Sequence, residues 1–268
     1  MMRIVICAKE VLDSDAVNNY ALAGRLTIGD DGRTITQTAI PRLMNAYDEQ
    51  AIEAALRIRD TGVECTITVV SVGEDPSAIL KHAAALGADE IAHIKLVDGE
   101  TDCAGVAALL AAYIGTTGAA DLILCGRQAS DDDQGVVPAL LGERLNTPVI
   151  TIARDVALSG SAVRVTRVTP DGDAIVEADM PAVVTISSEL GAPRYPTAAR
   201  SMQARRMAPV VVTPTDLGLT TDDLTPRVML EKLFVPAVQG NCEFINGASP
   251  AESARTLISR LREERLLA

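Results

Sequence analysis

The chain has 268 residues, of which 48% are hydrophobic and 22% charged, a composition typical of a folded protein of one or two domains. Its 24 Lys and Arg residues against 36 Asp and Glu residues give a formal charge of -12, which repels phosphate backbones and anionic lipid. We therefore expect no nucleic-acid partner. No apolar run approaches the ~20 residues needed to cross a bilayer, so we expect no membrane insertion. Met1-Met2-Arg3 leads directly into an apolar strand with no cleavage region, and we expect a cytoplasmic protein.

The first 152 residues alternate short apolar runs with segments of helical periodicity. Buried strands are predicted at residues 3–8, 65–72, 91–97, 122–125 and 149–152. Helices are predicted at residues 45–59, capped by Asn45, at 76–86, at 101–115 and from near Pro138. Residues 13–41 are polar and turn-rich, and a hairpin around residues 29–32 is expected outside the main sheet. Strands alternating with helices predict an α/β protein with a doubly wound parallel sheet.

The pattern changes after residue 152. Short alternating runs at residues 156–158, 163–168 and 174–178 predict a small antiparallel meander, and residues 181–186 return to a buried strand. Residues 197–207 are basic and weakly helical. From residue 209 the chain reads as an extended arm that closes in a helix at about residues 250–267. An arm this long without its own periodic core needs a surface, which another subunit would supply.

One stretch, residues 120–143, reads as a strand, a glycine-bearing polar loop and a helix. In a doubly wound sheet the ligand lies where the strand order reverses, and free N–H groups at a helix start attract phosphate. This topology brings Cys7-Ala8-Lys9 beside residues 126–129, where small side chains would let a flat ring approach the backbone. The competing interpretation is that these small residues only permit a tight turn.

Few other residues offer chemistry. Asp131, Asp132 and Asp133 are consecutive, so their side chains diverge, and a loop in which one carboxylate bonds loop amides is favoured over a metal site or an acid–base pair. Five scattered cysteines without a C-x-x-C pair are typical of reduced, buried thiols, and the two histidines, in separate elements, are expected to be structural. A basic cluster, Arg194, Arg200, Arg205 and Arg206, is either a docking surface or a solvated helix face.

Several blocks occur in the order typical of one family. Residues 45–49 (NAYDE) resemble its N-P-F-D-E block, and residues 126–133 (GRQASDDD) resemble G-K-Q-A-x-D-D-D. Further matching blocks are Ser71-Val72-Gly73, residues 85–89 (ALGAD), 181–185 (PAVVT), 193–197 (PRYPT) and 216–218 (DLG). Because these blocks span nearly the whole chain, the sequence resembles the beta subunits of electron transfer flavoproteins.

The resemblance implies a heterodimer with an alpha subunit, acting as an electron carrier and not as an enzyme by itself. It implies a Rossmann-like, adenine nucleotide-binding fold, a redox FAD held mainly by the alpha subunit, and a nucleotide in the crevice of the beta subunit. Tyr47 matches an aromatic residue that approaches the partner's flavin. The expected cofactor-binding residues are Cys7, Ala8, Lys9, Asn45, Ala46, Tyr47, Asp48, Val72, Gly126, Arg127, Gln128, Ala129, Asp131, Asp133, Gln134, Gly135, Val136 and Val137.

The resemblance also divides the chain by role. Residues 1–190 would form the nucleotide-binding domain, residues 191–208 the segment that docks into a flavin dehydrogenase, such as an acyl-CoA dehydrogenase, and residues 209–268 an arm that wraps the alpha subunit. We call residues 191–208 the recognition segment. Its expected docking residues are Arg194, Tyr195, Pro196, Thr197, Ala198 and Met202.

Two departures from the family pattern affect these expectations. Residues 135–138 (GVVP) replace the N-Q-T-G of AMP-binding members and partly resemble the A-Q-V-G of members that bind a second FAD and split electron pairs. The nucleotide of this chain is therefore expected to be AMP or a second FAD, with FAD slightly favoured. Ala198 stands where other members carry a docking leucine, which suggests a different dehydrogenase partner.

An alternative function is an ATP-using enzyme or nucleotide sensor on a similar α/β sheet. Such proteins generally carry a glycine- and serine-rich pyrophosphate loop after the first strand. Residues 7–11 (CAKEV) supply no such donors.

Overall fold

The computed structural model describes residues 1–96, 101–237 and 242–267. The chain forms two compact units, Met1–Leu233 and Phe234–Ala268. The predicted boundary of the arm at residue 209 therefore lies inside the larger unit. Among the described residues, no helix is long and apolar enough to cross a membrane.

The larger unit is built on a sheet of nine strands. The strands of the chain are β1 (Met2–Cys7), β2 (Glu10–Leu12), β3 (Arg42–Met44), β4 (Cys65–Gly73), β5 (Glu90–Lys95), β6 (Leu122–Gly126), β7 (Val149–Ser159), β8 (Ala162–Thr169), β9 (Gly172–Asp179), β10 (Ala182–Ile186) and β11 (Val210–Val212). The order across the main sheet is β11-β5-β4-β1-β6-β10-β7-β8-β9, while β2 and β3 form a separate antiparallel pair. The chain thus starts at the centre of the sheet and extends to both sides, as a doubly wound fold requires.

Helices cover both faces of this sheet. They are α1 (Ser14–Leu22), α2 (Ala46–Asp60), α3 (Ser77–Leu86), α4 (Cys103–Thr116), α5 (Val137–Leu145), α6 (Ala198–Ala204) and α7 (Thr221–Leu224). One buried cluster packs α2 and α3 against residues such as Ile4 and Leu124, and the other packs α4 and α5 against residues such as Val5 and Ile123. Since successive strand residues point to opposite faces, a continuously apolar strand serves both layers.

The predicted meander is present, but it extends the main sheet. The predicted strand at residues 149–152 and the first meander run are one strand, β7, because a bulge at Ile152 bends the strand without ending it. Ile152 has a φ of 62° there, and its N–H donates to Oγ1 of Thr185 at 2.9 Å. The antiparallel partners β8 and β9 then complete one end of the sheet.

Other sequence predictions were incomplete. The hairpin around residues 29–32 is present as a single antiparallel bridge between Ile28 and Ile35. Helix α1 was not predicted, because residues 13–41 as a whole are polar and turn-rich. The strand predicted at residues 91–97 is β5, and residue 97 lies outside the described residues. Strand β11 was also not predicted, and it pairs in parallel with β5.

The smaller unit, residues 234–268, contains one long helix, α8 (Pro250–Glu263). Ser249 caps it by accepting a hydrogen bond from the N–H of Glu252 at 3.3 Å. No residue of α8 is buried, and its apolar residues Leu257 and Ile258 are 45% and 44% exposed. The predicted helix is therefore present, with an uncovered apolar side.

Candidate functional site

The tips of the first and fourth buried strands lie side by side, as the topology predicted. Strands β1 and β6 are parallel neighbours, and Cys7 is paired in register with Cys125. The strand order reverses between them, which makes this the switch point of the sheet. Val72 lies near the end of the adjacent strand β4, so the structure brings it to the same edge.

A buried carboxylate joins the two tips. Asp48, in the first turn of α2, accepts hydrogen bonds from the N–H of Lys9 and from the N–H of Gly126, both at 2.8 Å. Burial raises the pKa of Asp48 to about 6, and the hydrogen bonds from the two main-chain groups oppose that rise. The Asp48 carboxylate is thus bonded to the main chain of the protein, a role that sequence reasoning did not foresee.

Asn45 stands at the N-cap position of α2, as predicted, but its side chain does not cap the helix. Its amide nitrogen donates to the carbonyl oxygen of Gln128 at 2.8 Å, and its amide oxygen accepts from the N–H of Ser130 at 3.3 Å. The predicted capping bond was therefore wrong. The side chain instead fastens the loop after β6 to the start of α2.

At Gly126 the start of α2 lies directly against the sheet. A Cβ atom at this position would lie against Oδ1 of Asp48, 2.7 Å from Cβ of Tyr47 and 3.0 Å from the amide nitrogen of Asn45. Only glycine leaves room for these three side chains. They pack against the end of β6, while Ala46 beside them is exposed.

A short polar chain continues from Tyr47 into the loop after β6. The guanidinium of Arg127 lies 5.7 Å from the centre of the Tyr47 ring, within the range of a cation–π contact. Nε of Arg127 donates to Oε1 of Gln128 at 3.1 Å, and the amide of Gln128 donates to Asp133 at 2.7 Å. These contacts hold together three of the predicted loop residues.

The acidic part of this loop is balanced by one lysine. Nζ of Lys9 lies 2.8 Å from Asp131 and 3.2 Å from Asp132. Burial disfavours the charged ammonium, but the two carboxylates outweigh it and raise the pKa of Lys9. Asp132 also accepts from the N–H of Gln134 at 3.2 Å, the carboxylate-to-amide bond that was expected in this loop. In the ranges that the structure covers, no cluster of three or more acidic, Cys or His side chains could hold a metal ion.

The loop ends at the start of α5, which is open to solvent. No side chain caps this helix, and Pro138 occupies its first turn. Within the described residues, the main-chain N–H groups of Gly135, Val136 and Val137 have no acceptor, and unpaired N–H groups at a helix start attract anions. Gly135 has a φ of 62°, and a Cβ there would lie 2.8 Å from the carbonyl oxygen of Arg127, so the turn requires glycine.

Four of the five cysteines are buried or half-buried, but Cys242 is exposed, so the expectation of buried thiols was wrong for that residue. All five cysteines are free, and Cys7 and Cys125 are both buried at the strand tips. The hydrogen bond with Cys7 and burial raise the pKa of Cys125. Nε2 of His82 lies 2.7 Å from Glu49, and Nε2 of His93 lies 2.8 Å from the carbonyl oxygen of Gly73. These side chains connect elements of the fold.

The recognition segment lies apart from the crevice and has two kinds of residue. Tyr195 is 95% exposed and Met202 is 66% exposed, while Thr197 caps α6 and Ala198, the first residue of that helix, is exposed. Arg194 differs from the other cations of the predicted basic cluster because its guanidinium is paired within the chain. The three remaining cations are exposed: Arg200, Arg205 and Arg206.

The paired acids of Arg194 were not identified as site residues from the sequence. Glu53 and Asp60 lie on α2, and Glu53 also accepts a hydrogen bond from Arg57 at 2.9 Å. The spacing of four residues between Glu53 and Arg57 predicts such a helical pair. No pattern in the sequence links either residue to position 194.

Comparison with known proteins gives the family. The model of the electron transfer flavoprotein domain matches residues 33–217. The chain is 31% identical to the electron transfer flavoprotein subunit beta of Megasphaera elsdenii over 88% of both chains. It is 30% identical to the caffeyl-CoA reductase-Etf complex subunit CarD of Acetobacterium woodii over 99% of this chain and 100% of that one. It is 32% identical to the acryloyl-CoA reductase electron transfer subunit gamma of Anaerotignum propionicum over 73% of this chain and 72% of that one.

These relatives agree with the sequence blocks and with the doubly wound sheet, and none of them supports the alternative of an ATP-using enzyme. The match of the domain model covers more than half of the chain and includes the loop after β6. The chain belongs to the electron transfer flavoprotein family and is a subunit of the beta type.

Proposed function

We propose that the chain pairs with an alpha subunit and that this heterodimer carries electrons from a flavin dehydrogenase to an acceptor oxidoreductase. The observation that carries the proposal is the junction of β1 and β6, where Asp48 joins the two strand tips beside the open start of α5. Open parallel sheets bind ligands at this switch point, and this supports a nucleotide site at the junction. The family membership given above supplies the electron-transfer role.

The residues at the junction fit an adenylate group. The small residues Ala8 and Ala129 leave room for a planar base, and the free N–H groups of residues 135–137 are suitable donors to phosphate oxygens. Lys9 reduces the repulsion that the loop carboxylates would exert on a phosphate. When a flavin is bound in the complex, it supplies the electron transfer chemistry, and the protein supplies binding and orientation.

We place a second FAD ahead of AMP as the occupant. Val136 and Val137 offer no hydroxyl or side-chain amide that would hold a terminal monophosphate, and Pro138 lacks an N–H. A dinucleotide needs no such group, because its phosphates are internal. Two of the relatives, from Acetobacterium woodii and Anaerotignum propionicum, are named as subunits of CoA-ester reductases. This is consistent with a reductase as a partner of the complex.

The recognition segment is proposed to dock with the dehydrogenase through Tyr195 and Met202, which are exposed. Ala198 removes the leucine that other members carry, and with it roughly 1.5–3 kcal/mol of burial. The dehydrogenase of this chain is therefore proposed to differ from the usual acyl-CoA partner. The apolar side of α8 is proposed to contact the alpha subunit, as the family resemblance implies for the C-terminal arm.

The test is to purify the chain alone and together with its alpha subunit from a common host. The complex is expected to be yellow and reducible, and it should hold the redox FAD of the alpha subunit in addition to any nucleotide that the chain alone retains. Denaturing the complex and counting the released nucleotides identifies the occupant of the site in this chain. Two FAD per heterodimer supports a second FAD, whereas one FAD and one AMP shows that the occupant is AMP. A complex that holds no more flavin than the chain alone, or a complex without flavin, would contradict the proposed function.

A further inference from the structure

The recognition segment is held on α2 by one buried acid. Nε of Arg194 donates to Glu53 at 2.8 Å, and Nη2 of Arg194 donates to the other oxygen of Glu53 at 3.3 Å. The main-chain N–H of Arg194 also donates to Glu53, at 3.2 Å. Such two-pronged, charge-assisted contacts fix geometry as well as adding energy.

The two acids that contact Arg194 differ in exposure. The side chain of Glu53 is 7% exposed, whereas that of Asp60, which lies 2.7 Å from Nη2 of Arg194, is 58% exposed. Burial disfavours the charged form of Glu53, but the hydrogen bonds from Arg194 and Arg57 outweigh it and lower its pKa. Because water screens the ion pair with Asp60, the ion pair of Arg194 with Glu53 is the stronger of the two.

The recognition segment borders open space next to Arg194. A cavity of about 180 Å³ lies beside it, lined by residues that include Leu56, Leu86, Tyr195, Pro196 and Arg200. The side chains that follow Arg194 therefore border open space, and Tyr195 is almost fully exposed. Polar contacts from α2 meet this part of the segment at Arg194, through Glu53, and at Gly191, whose carbonyl oxygen accepts a hydrogen bond from Gln50 at 3.2 Å.

We propose that Glu53 is a positioning residue for docking: through Arg194 it holds the recognition segment in the conformation that the dehydrogenase binds. This inference rests on the proposed function of the chain. Asp48, which contacts the strand tips, lies on the same helix as Glu53. One rigid helix therefore carries the contact to the strands and the contact to the recognition segment. Loss of the ion pair between Glu53 and Arg194 is expected to weaken docking and to leave electron transfer within the docked complex unchanged.

The first test measures the hold itself on the purified complex. Hydrogen–deuterium exchange of residues 191–200 is expected to rise at least tenfold in Arg194→Gln and in Glu53→Gln, and no further in the double variant, because both remove one interaction. Arg194→Lys is expected to restore part of the protection. The matched control is Arg154→Gln, which breaks an exposed ion pair elsewhere on the sheet and should leave this exchange unchanged. Unchanged exchange in both single variants, or additive effects in the double variant, would overturn the hold.

The second test measures docking by steady-state reduction of the complex. The probes are short-, medium- and long-chain acyl-CoA dehydrogenases with their substrates and a CoA-ester reductase. For a probe that reduces the wild-type complex, Glu53→Gln is expected to raise KM for the complex about tenfold with kcat unchanged, whereas a loss of kcat alone would refute the docking role. If no probe reduces the wild-type complex, the docking role is withdrawn together with the dehydrogenase partner of the proposed function. The exchange result is independent of that outcome.

Discussion

The buried carboxylate at the strand tips makes the stability of the chain depend on pH in an unusual direction. Burial raises the pKa of Asp48 to about 6 in the folded protein, from the ordinary 3.8 of an exposed aspartate. For an acid whose pKa is raised by folding, the folded state binds more protons than the unfolded state between the two values. The contribution of Asp48 to stability is therefore full below about pH 4 and is lost as the pH rises through 6.

The size of the effect follows from the two pKa values. Their difference corresponds to about 3 kcal/mol over the whole interval, at about 1.4 kcal/mol per pKa unit. Between pH 5 and pH 7.5, the loss of this contribution raises the unfolding equilibrium constant about tenfold. Asp48→Asn keeps the shape of the side chain and removes its titration, so the variant should lack this part of the pH dependence.

The assay is denaturant unfolding of the wild-type complex and of Asp48→Asn at pH 5, 6, 7 and 7.5, at one protein concentration. Groups that titrate in both proteins cancel in the difference between them. As the pH rises from 5 to 7.5, the unfolding equilibrium constant of the wild type should increase about tenfold relative to that of the variant. Parallel curves, or a relative gain of wild-type stability with rising pH, would refute the burial argument.

Three further changes test the site and the arm. Gly126→Ala forces a Cβ into the side chains of α2 and should cost about 1–3 kcal/mol in thermal unfolding, whereas Gly115→Ala, which has open space around it, should be neutral or stabilising. Lys9→Gln leaves the loop carboxylates unbalanced and should weaken adenine nucleotide binding about tenfold in equilibrium dialysis, on the order of 1.4 kcal/mol; exposed Lys81→Gln should have no effect. Removing residues 234–268 should leave the larger unit folded by circular dichroism and should abolish co-purification with the alpha subunit; intact co-purification would contradict the arm.

The central sheet could be predicted because its strands are locally distinctive. The first strand is apolar at every position from Ile4 to Cys7, and it is buried on both faces, as that pattern indicates. Alternation with helices then gives the parallel order and the switch point. The meeting of Cys7 with Cys125 therefore required no information beyond the sequence.

The missing features depend on contacts between distant residues. The sequence places Asn45 at a helix start, but the partner of its amide is Gln128, 83 positions away. Arg194 reads as one of several surface cations until Glu53, 141 positions earlier, is seen beneath it. Helix α1 was missed for a local reason: its few apolar residues stand within a polar, turn-rich stretch, and none of them is buried.

Helix α2 fixes the spacing between two parts of the molecule that have different tasks. Its 15 residues span about 22 Å, with Asp48 in the first turn and Glu53 five residues further on. Deleting one residue between them would rotate everything after the deletion by about 100°. Glu53 would then turn away from Arg194 while Asp48 stayed in place. The number of residues between these two acids is therefore fixed by the two contacts that they make.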